Sequence, residues 1–417
     1  MSIVVQKYGG TSVADAARIQ NVARRIVETY DRGHSVCAVV SARGDTTDEL
    51  LELAHEISPH PPEREMDMLL SAGERISCAL LAMAIARLGR EAISFTGSQA
   101  GIITDTMHGK ARILDVRATR LMEAMSEGKI VLVAGFQGVS TDKNVTTLGR
   151  GGSDTTAVAL AHALSADVCE IYTDVDGVYT ADPNLVARAR KLSYISYDEM
   201  LELAAAGAQV LALRSVEYAR KYDIVIHVRS SFSDAEGTWV RREDASMESA
   251  IIRGVTYTHD AAKITVRGVP DQPGVAAYVF GALSDAHINV DMIIQNTGQE
   301  GHSDISFTIP EANLAAATDV LQSIVSELGG KGYVSDVDVA MVSLVGAGMR
   351  TNPGVAAKMF KTLAVHGINL EMISTSPIKI SCVIAKDRVE EAVRALHEAF
   401  ELDATTVSEE TTEGSRS

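Results

Sequence analysis

The chain has 417 residues, more than one hydrophobic core usually holds, so roughly two to three folding units are expected. Its formal net charge is −17 at pH 7 and only 5% of its residues are aromatic, which argues against nucleic acids and anionic membranes as partners. The four cysteines, Cys37, Cys78, Cys169 and Cys382, form no CxxC pair. We therefore predict buried free thiols and no metal or redox site.

The N-terminal residues are typical of a first strand ending near Lys7, not of a cationic leader. We find no apolar stretch of the ~20 residues that a bilayer span needs, so we predict a cytoplasmic protein. The first ~230 residues alternate β-branched runs with helical patterns, which predicts an α/β unit with a mostly parallel sheet. The clearest predicted strands are residues 36–40, 130–134, 170–173 and 224–228. The clearest predicted helices are residues 14–29, 64–88 and 155–164.

An internal repeat follows a polar connection at residues 230–250. The sequence Pro-Gly-Val-Ala-Ala occurs at 273–277 and again at 353–357, and further matches keep the same offset. Each copy is predicted to be a small α+β unit. Two copies favour a paired regulatory module over a solenoid, which needs at least three. The Thr-, Ser- and Glu-rich tail is predicted to be disordered.

The first chemical motif is Lys7-Tyr8-Gly9-Gly10-Thr11-Ser12, which lies between the first strand and a helix. Glycines allow close approach of a ligand, and amides that open a helix attract phosphate oxygens. Lys7 would add positive charge during phosphoryl transfer. A simple strand-to-helix turn explains the motif equally well. Neither a Walker-type sequence nor the protein-kinase signatures occur, so any ATP site must be of another kind.

The second motif, residues 146–156, places three glycines before a helix predicted to start near Ser153 or Asp154. A capped glycine loop would explain the Ser and the Asp. It leaves Arg150 unexplained, and arginine is the preferred bidentate partner of a carboxylate.

Two further features carry carboxylates. Residues 172–183 begin at a predicted strand end, where open α/β sheets bind ligands, although Asp-Gly and Asp-Pro are also common turn pairs. Glu74 lies among apolar residues, and a buried carboxylate needs a partner. An ion pair with Arg75 is the plain alternative.

Together these segments resemble the signature segments of aspartokinases, within the amino-acid-kinase family. The likeness runs in order to about residue 403 and includes residues 41–48 and 71–74. It implies a three-layer α/β/α sandwich with a mostly parallel sheet, followed by two α+β, ferredoxin-like ACT domains. The implied boundaries are 1–245 for the catalytic domain, 262–340 and 341–405 for the ACT domains, and 406–417 for a disordered tail.

The resemblance implies transfer of the γ-phosphoryl group of ATP, with Mg²⁺, to the β-carboxylate of L-aspartate. Lys7 and Asp154 would be catalytic, Lys7 stabilising the phosphoryl group and Asp154 organising the site cations. The implied substrate-binding residues are Thr47, Glu74, Arg150, Gly151, Gly152 and Ser153. The implied nucleotide-binding residues are Lys7, Tyr8, Gly9, Gly10, Ser41, Thr173, Asp174, Tyr179, Asp182, Pro183 and Gln209. Many relatives have a lysine where Gln209 stands.

The resemblance implies that the repeat binds lysine or threonine, and we predict a joint response to the two. The implied effector residues are Asp271, Gly274, Ala276, Asp291, Gln295, Ile368 and Asn369. Asp271 could also be only a turn residue. We expect a homo-oligomer, possible translation of a small regulatory subunit from Met247, and no protein metal cage. The rival hypotheses are a kinase for another carboxylate or phosphate, and a catalytically silent amino-acid sensor.

Overall fold

The computed structural model describes residues 2–243, 251–297, 301–350 and 352–404. Met247 and the predicted disordered tail lie outside the described residues, so both predictions remain open. In the N-terminal part the strands are β1 (Ile3–Tyr8), β2 (Ser35–Val40), β3 (Ala92–Phe95), β4 (Ile102–Thr104), β5 (Ile113–Val116), β6 (Ile130–Ala134), β7 (Gln137–Ser140), β8 (Val145–Thr147), β9 (Val168–Thr173), β10 (Tyr194–Ser196), β11 (Ile226–Ser230) and β12 (Thr238–Arg241). The helices there are α1 (Ala16–Asp31), α2 (Thr46–Ile57), α3 (Glu63–Leu70), α4 (Ala72–Arg87), α5 (Thr119–Ser126), α6 (Gly152–Ala163), α7 (Tyr197–Ala205) and α8 (Leu213–Tyr222).

An eight-stranded sheet of order β10-β12-β11-β9-β1-β2-β6-β3 forms the centre of the N-terminal part, and its only antiparallel pair is β11–β12. Successive side chains of β2 point to opposite faces because a strand has a period of two. Val36 and Val40 pack with α1 and α4, whereas Cys37 and Val39 pack with α5 and α6. Both faces are therefore covered, and the predicted three-layer α/β/α sandwich is confirmed.

The helical stretch Glu63–Arg87 corrects one expectation from the sequence. By length and composition it is apolar enough to cross a membrane. Its inner residues Cys78, Leu81 and Ile85 pack in the core of the sheet instead, which is how an apolar helix of a globular domain behaves. The four cysteines are buried and free, as predicted.

A second, four-stranded sheet of order β5-β4-β7-β8 lies in the same part of the chain. Strand β8 leads directly into the glycine loop that precedes α6. This small sheet therefore sets where that loop begins.

The C-terminal part contains both copies of the repeat. The elements are β13 (Gly254–Thr258), β14 (Ala262–Pro270), α9 (Val275–Asp285), β15 (Ile293–Thr297), β16 (His302–Ile309), α10 (Leu314–Glu327), β17 (Gly332–Asp336), β18 (Val339–Val345), α11 (Val355–Val365), β19 (Met372–Ser376), β20 (Lys379–Ala385) and α12 (Val389–Ala399). The first copy forms the sheet β15-β16-β14-β17 and the second the sheet β13-β18-β20-β19. The predicted α+β character of both copies is confirmed.

Strand β13 comes from before the first copy but belongs to the sheet of the second. Its residues pair antiparallel with β18, from Gly254 opposite Val345 to Thr258 opposite Met341. The sequence-based boundaries place residues 254–258 in neither copy and divide β18 at residue 340. The chain of the first copy is thus inserted between two neighbouring strands of the second. Sequence periodicity does not reveal such a pairing, because residues 254–258 shifted by the repeat offset overlap β17, which pairs with β14 in the sheet of the first copy.

Candidate active site

Lys7 and Asp154 form an ion pair at the centre of the N-terminal part. Lys7 lies near the carboxyl end of β1, and Asp154 lies in the first turn of α6, which packs against that strand. The Nζ atom of Lys7 is 2.6 Å from Oδ1 of Asp154, and the side chains are 13% and 10% exposed. Low exposure strengthens this pair relative to one in water. Both residues still line the large cleft beside them.

That cleft has a volume of about 1930 Å³ and collects residues from distant parts of the sequence. Ten predicted site residues line it: Lys7, Gly10, Ser41, Thr47, Glu74, Arg150, Gly151, Gly152, Ser153 and Asp154. Such a volume exceeds the usual range for one small ligand and leaves room for a nucleotide beside an amino acid.

Glu74 is a buried carboxylate with one unused oxygen. It is 3% exposed, and its Oε1 accepts a hydrogen bond from the amide of Ala42 at 3.2 Å. Oε2 has no hydrogen-bond partner among the described residues. Burial raises the pKa of Glu74 to about 7. Glu74 does not form the alternative ion pair with Arg75, because the side chain of Arg75 donates to Gln137 and Ser71 instead.

The glycine loop places Arg150 at the rim of the cleft. Gly149 and Gly151 have φ angles of 78° and 71°, in the left-handed region that disfavours other residues. A Cβ on Gly151 would lie 2.2 Å from the Cβ of Ala212, so the close packing also requires glycine. Arg150 itself is exposed.

Helix α6 begins one to two residues earlier than predicted. Its N-cap is Gly151 and no side chain caps it, so the alternative of a loop capped by Ser153 or Asp154 is not what the structure has. Those side chains lie in the first turn, where Asp154 meets Lys7 instead. The amide of Gly152 already donates to the carbonyl of Gly149 at 2.9 Å, but the start of the helix as a whole still favours a negatively charged ligand.

The residues predicted for the nucleotide are only partly brought together. Gly10 and Ser41 line the cleft, but Gly9 and the residues from the later segments do not: Thr173, Asp174, Tyr179, Asp182, Pro183 and Gln209. The Tyr8 side chain is fully buried and stacks on Tyr172 at 4.7 Å between ring centroids. Its side chain therefore cannot touch a nucleotide, since alternate residues of β1 face opposite sides of the sheet.

The segment after β9 turns towards the second copy of the repeat. Thr180 Oγ1 lies 2.9 Å from Nε2 of His397 in α12. Asp182 accepts a hydrogen bond from the hydroxyl of Tyr257 in β13, at 3.4 Å. Ala181 packs in the hydrophobic core of the second copy. This segment thus joins the two parts of the chain.

Sequence reasoning missed several residues around the cleft. Asp67 of α3 is fully buried and accepts hydrogen bonds from His108, Gly109 and Thr147. Arg214 of α8 also lines the cleft, as does His287, which follows α9 of the first copy. The one available signal was the acidic Asp67 on the apolar side of a helical pattern.

The predicted effector residues occupy both copies and lie outside the lining of the catalytic cleft. Asp271, Gly274, Asp291, Gln295 and Asn369 are exposed, and Ala276 is half-buried. Gly274 has φ 100° and precedes α9, and Gly354 precedes α11 with φ 103°, so the repeated turn has one geometry. Ile368 is 4% exposed, belongs to the second core and donates its amide to the carbonyl of Leu363 at 2.9 Å, so its side chain does not face a ligand. Among the described residues, no group of three or more His, Cys, Asp or Glu could hold a metal ion.

Comparison with known proteins gives matches along nearly the whole chain. Residues 2–230 match the amino acid kinase family, and residues 264–324 and 342–400 match the ACT domain. The aspartokinase of Mycolicibacterium smegmatis is 59% identical over 407 residues, covering 96% of this chain and 97% of that protein. The structure of E. coli aspartokinase III with aspartate and ADP (R-state) is similar at TM-score 0.82 and 27% identity, over 95% of this chain and 99% of that one. The same enzyme with lysine and aspartate (T-state) gives a TM-score of 0.72 at 27% identity, over the same shares of 95% and 99%.

Proposed function

The chain belongs to the aspartokinases of the amino acid kinase family and is an aspartate kinase, and from that premise we propose its reaction in detail. It transfers the γ-phosphoryl group of ATP to the β-carboxylate of L-aspartate, giving 4-phospho-L-aspartate. One observation carries the proposal: the Lys7–Asp154 pair shares a cleft with Arg150 and with the unused oxygen of Glu74.

Two groups of opposite charge suit the two charged ends of a free amino acid. Arg150 pairs with the α-carboxylate of aspartate, since a guanidinium can hold both oxygens. Oε2 of Glu74 accepts the ammonium group, which supplies the partner that this buried oxygen lacks. Thr47 and the amides of Gly151 and Ser153 hold the remaining oxygens, and Gly152 lines the same cleft beside them. N-acetylglutamate has no free ammonium and would leave Glu74 unpaired.

The nucleophile needs no general base, because the β-carboxylate of aspartate is already ionised at pH 7. Catalysis then depends on positioning the two substrates and on neutralising negative charge while the phosphoryl group moves from the nucleotide to aspartate. Lys7 stabilises the negative charge on the transferring phosphoryl group. Asp154 fixes the ammonium of Lys7 at the position where that charge develops.

The nucleotide is held in the cleft by Lys7, Gly10 and Ser41. The residues proposed to complete its site from outside the lining of the cleft are Gly9, Thr173, Asp174, Tyr179, Asp182, Pro183 and Gln209. Gly10 and Ser41 support this because they line the cleft beside Lys7. Mg²⁺ bound with the nucleotide would add charge neutralisation, and Asp154 offers the hard oxygen that this ion prefers. The backbone of Tyr8, and not its side chain, belongs to this set.

A hydroxamate assay tests the reaction. With ATP, Mg²⁺, hydroxylamine and aspartate we expect coloured aspartyl hydroxamate, and with N-acetylglutamate we expect none. Product from N-acetylglutamate alone would favour another carboxylate kinase. No product from either substrate would favour a silent amino-acid sensor.

We further propose that this reaction is the first step of lysine, threonine, methionine and diaminopimelate biosynthesis. Lysine, threonine or both bind at the two ACT copies and inhibit it. Support comes from E. coli aspartokinase III, whose T-state structure contains lysine. The exposed Asp271 and Asp291 suit an effector ammonium, and Gln295 and Asn369 are exposed polar residues of the same proposed set. Activity assays with lysine alone, threonine alone and both together decide between single and joint inhibition. No response to any of these additions would refute the proposed inhibition.

The cellular setting follows the same proposal. The enzyme acts in the cytoplasm as a homo-oligomer, and a small regulatory subunit is translated from Met247. An intact-mass survey of the native protein that finds only full-length chain would refute the small subunit.

A further inference from the structure

Arg214 joins two segments of backbone at the rim of the cleft. This half-buried residue lies in the first turn of α8. Its Nη1 donates to the carbonyl of Leu148 at 2.7 Å, and its Nη2 donates to the carbonyl of Ala111 at 2.9 Å. Leu148 begins the glycine loop that carries Arg150. Both terminal nitrogens of Arg214 are therefore engaged with the backbone and not held ready for a ligand.

The residue before Leu148 is held from the opposite side. Thr147 donates its hydroxyl to Asp67 at 2.5 Å, and its carbonyl accepts the amide of Ala111 at 2.9 Å. Asp67 also accepts the amide of Gly109 at 3.1 Å. Since Asp67 is fully buried, these bonds do not compete with water. The start of the glycine loop is thus held by hydrogen bonds to both α3 and α8.

The far end of the same loop rests on the start of α8. A Cβ on Gly151 would lie 2.2 Å from Cβ of Ala212, the residue two before Arg214. The amide of Ala212 donates to Oδ2 of Asp154 at 3.4 Å. A shift at the start of α8 would therefore move the glycine loop and Asp154 together.

We propose that Arg214 is a positioning residue for Arg150 and sets the affinity for aspartate through the glycine loop. The proposal rests on the role of Arg150 given above. Arg150 is exposed on a loop with two left-handed glycines, so its own packing does little to fix its place. The bonds from Arg214 replace that missing packing. A lysine at 214 has one ammonium and cannot serve both carbonyls with the planar geometry of a guanidinium.

The test measures kcat and the KM values for aspartate and ATP in Arg214→Gln and Arg214→Lys. We expect the aspartate KM to rise about tenfold in Arg214→Gln, and less in Arg214→Lys, because a small misplacement of a binding group weakens binding. The ATP KM should stay within about twofold. Arg220→Gln is the matched control, since Arg220 lies on the same helix and pairs with exposed Asp198. A rise in the ATP KM alone would overturn the proposal in favour of direct nucleotide contact.

A double-mutant cycle with Arg150→Gln separates positioning from general loss of structure. If Arg214 acts through Arg150, its substitution should change the aspartate KM by less than about twofold once Arg150 is gone. An equal effect in both backgrounds would overturn the proposal. If Arg214→Gln does not fold, Thr147→Val tests the same loop from the Asp67 side and should show the same loss of additivity. Should Arg150→Gln alone leave the aspartate KM unchanged, the proposed role of Arg150 fails, which is a different result from an idle Arg214.

Discussion

We call the residues proposed to bind aspartate the aspartate side and those proposed to bind the nucleotide the nucleotide side. The two sets differ in what surrounds them. On the aspartate side, Thr47, Glu74, Arg150 and Ser153 all line the cleft and lie in elements of the N-terminal part alone. The segment 173–183, predicted for the nucleotide side, is instead tied to the second copy of the repeat through Thr180. The residues proposed for aspartate therefore belong to the kinase domain alone, whereas the segment proposed for the nucleotide is bonded to the second copy. From the regulatory part, His287 of the first copy also lines the cleft.

This difference suggests where regulation acts. A change in the second copy reaches residues 180–182 directly, through His397 and Tyr257. The aspartate side receives no such bond from the second copy among the described residues. Variants on the two sides should therefore separate into effects on aspartate and effects on ATP, with Lys7 affecting the chemical step that joins them.

Lys7→Met should have the largest effect, because the two sides meet at this residue. We expect kcat to fall about a thousandfold, since a fixed charge near the transferring group is lost. Lys129→Met is the control, as Lys129 pairs with exposed Glu127 at 2.7 Å. Melting temperatures of both variants are needed because Asp154 loses its cation. A kcat within tenfold of the original would contradict the role of Lys7.

Glu74→Gln should raise the aspartate KM about a hundredfold, because a charged hydrogen bond to the ammonium is lost. The ATP KM should stay nearly constant, which is the separation expected of the aspartate side. Glutamine has the shape of the neutral carboxyl, so the fold should keep its stability. Glu52→Gln, on the exposed face of α2, is the matched control. Equal changes in both KM values would break the distinction between the sides.

The pH dependence of kcat/KM for aspartate should report Glu74. Burial raises the pKa of this carboxyl to about 7, so below that pH the free enzyme carries a neutral Glu74 that cannot pair with an ammonium. We expect kcat/KM to fall about tenfold per pH unit below this value and to level off above it. The fall should disappear in Glu74→Gln. A profile that is flat from pH 5 to 8 in the original enzyme would refute this assignment.

Gln209→Lys should give the smallest effect. Gln209 is exposed and outside the lining of the cleft, so a new positive charge would act on the nucleotide only through solvent. We expect the ATP KM to fall about two- to threefold. Gln209→Glu should change it in the opposite direction, and two unchanged values would show that the position is idle.

Much of the sheet could be predicted because buried parallel strands leave continuous apolar runs. Residues 130–134 were predicted with the bounds that β6 has, and the predicted strand 36–40 lacks only Ser35 of β2. Helix ends were less accurate, because α6 is opened by backbone geometry at Gly151 and not by a capping side chain.

The candidate site was predictable where one residue carries a charge with no local reason, as for Arg150 and Glu74. The burial of the Tyr8 side chain was not predictable, because a sequence motif does not show to which face of the sheet each side chain of β1 points. Asp67 and Arg214 were missed for a different reason. Their partners are backbone groups and residues far along the chain, which no local pattern records.

The early position of β13 has a consequence for how the gene could be divided. A polypeptide started anywhere between β12 and β13 carries every strand of both ACT sheets, since β13 already provides the edge that pairs with β18. One started at residue 262 would expose that edge of β18 to solvent or to a neighbouring chain. Met247 lies between β12 and β13, so a second product started at that codon would contain all the strands of both ACT sheets. It would need no strand from the kinase domain.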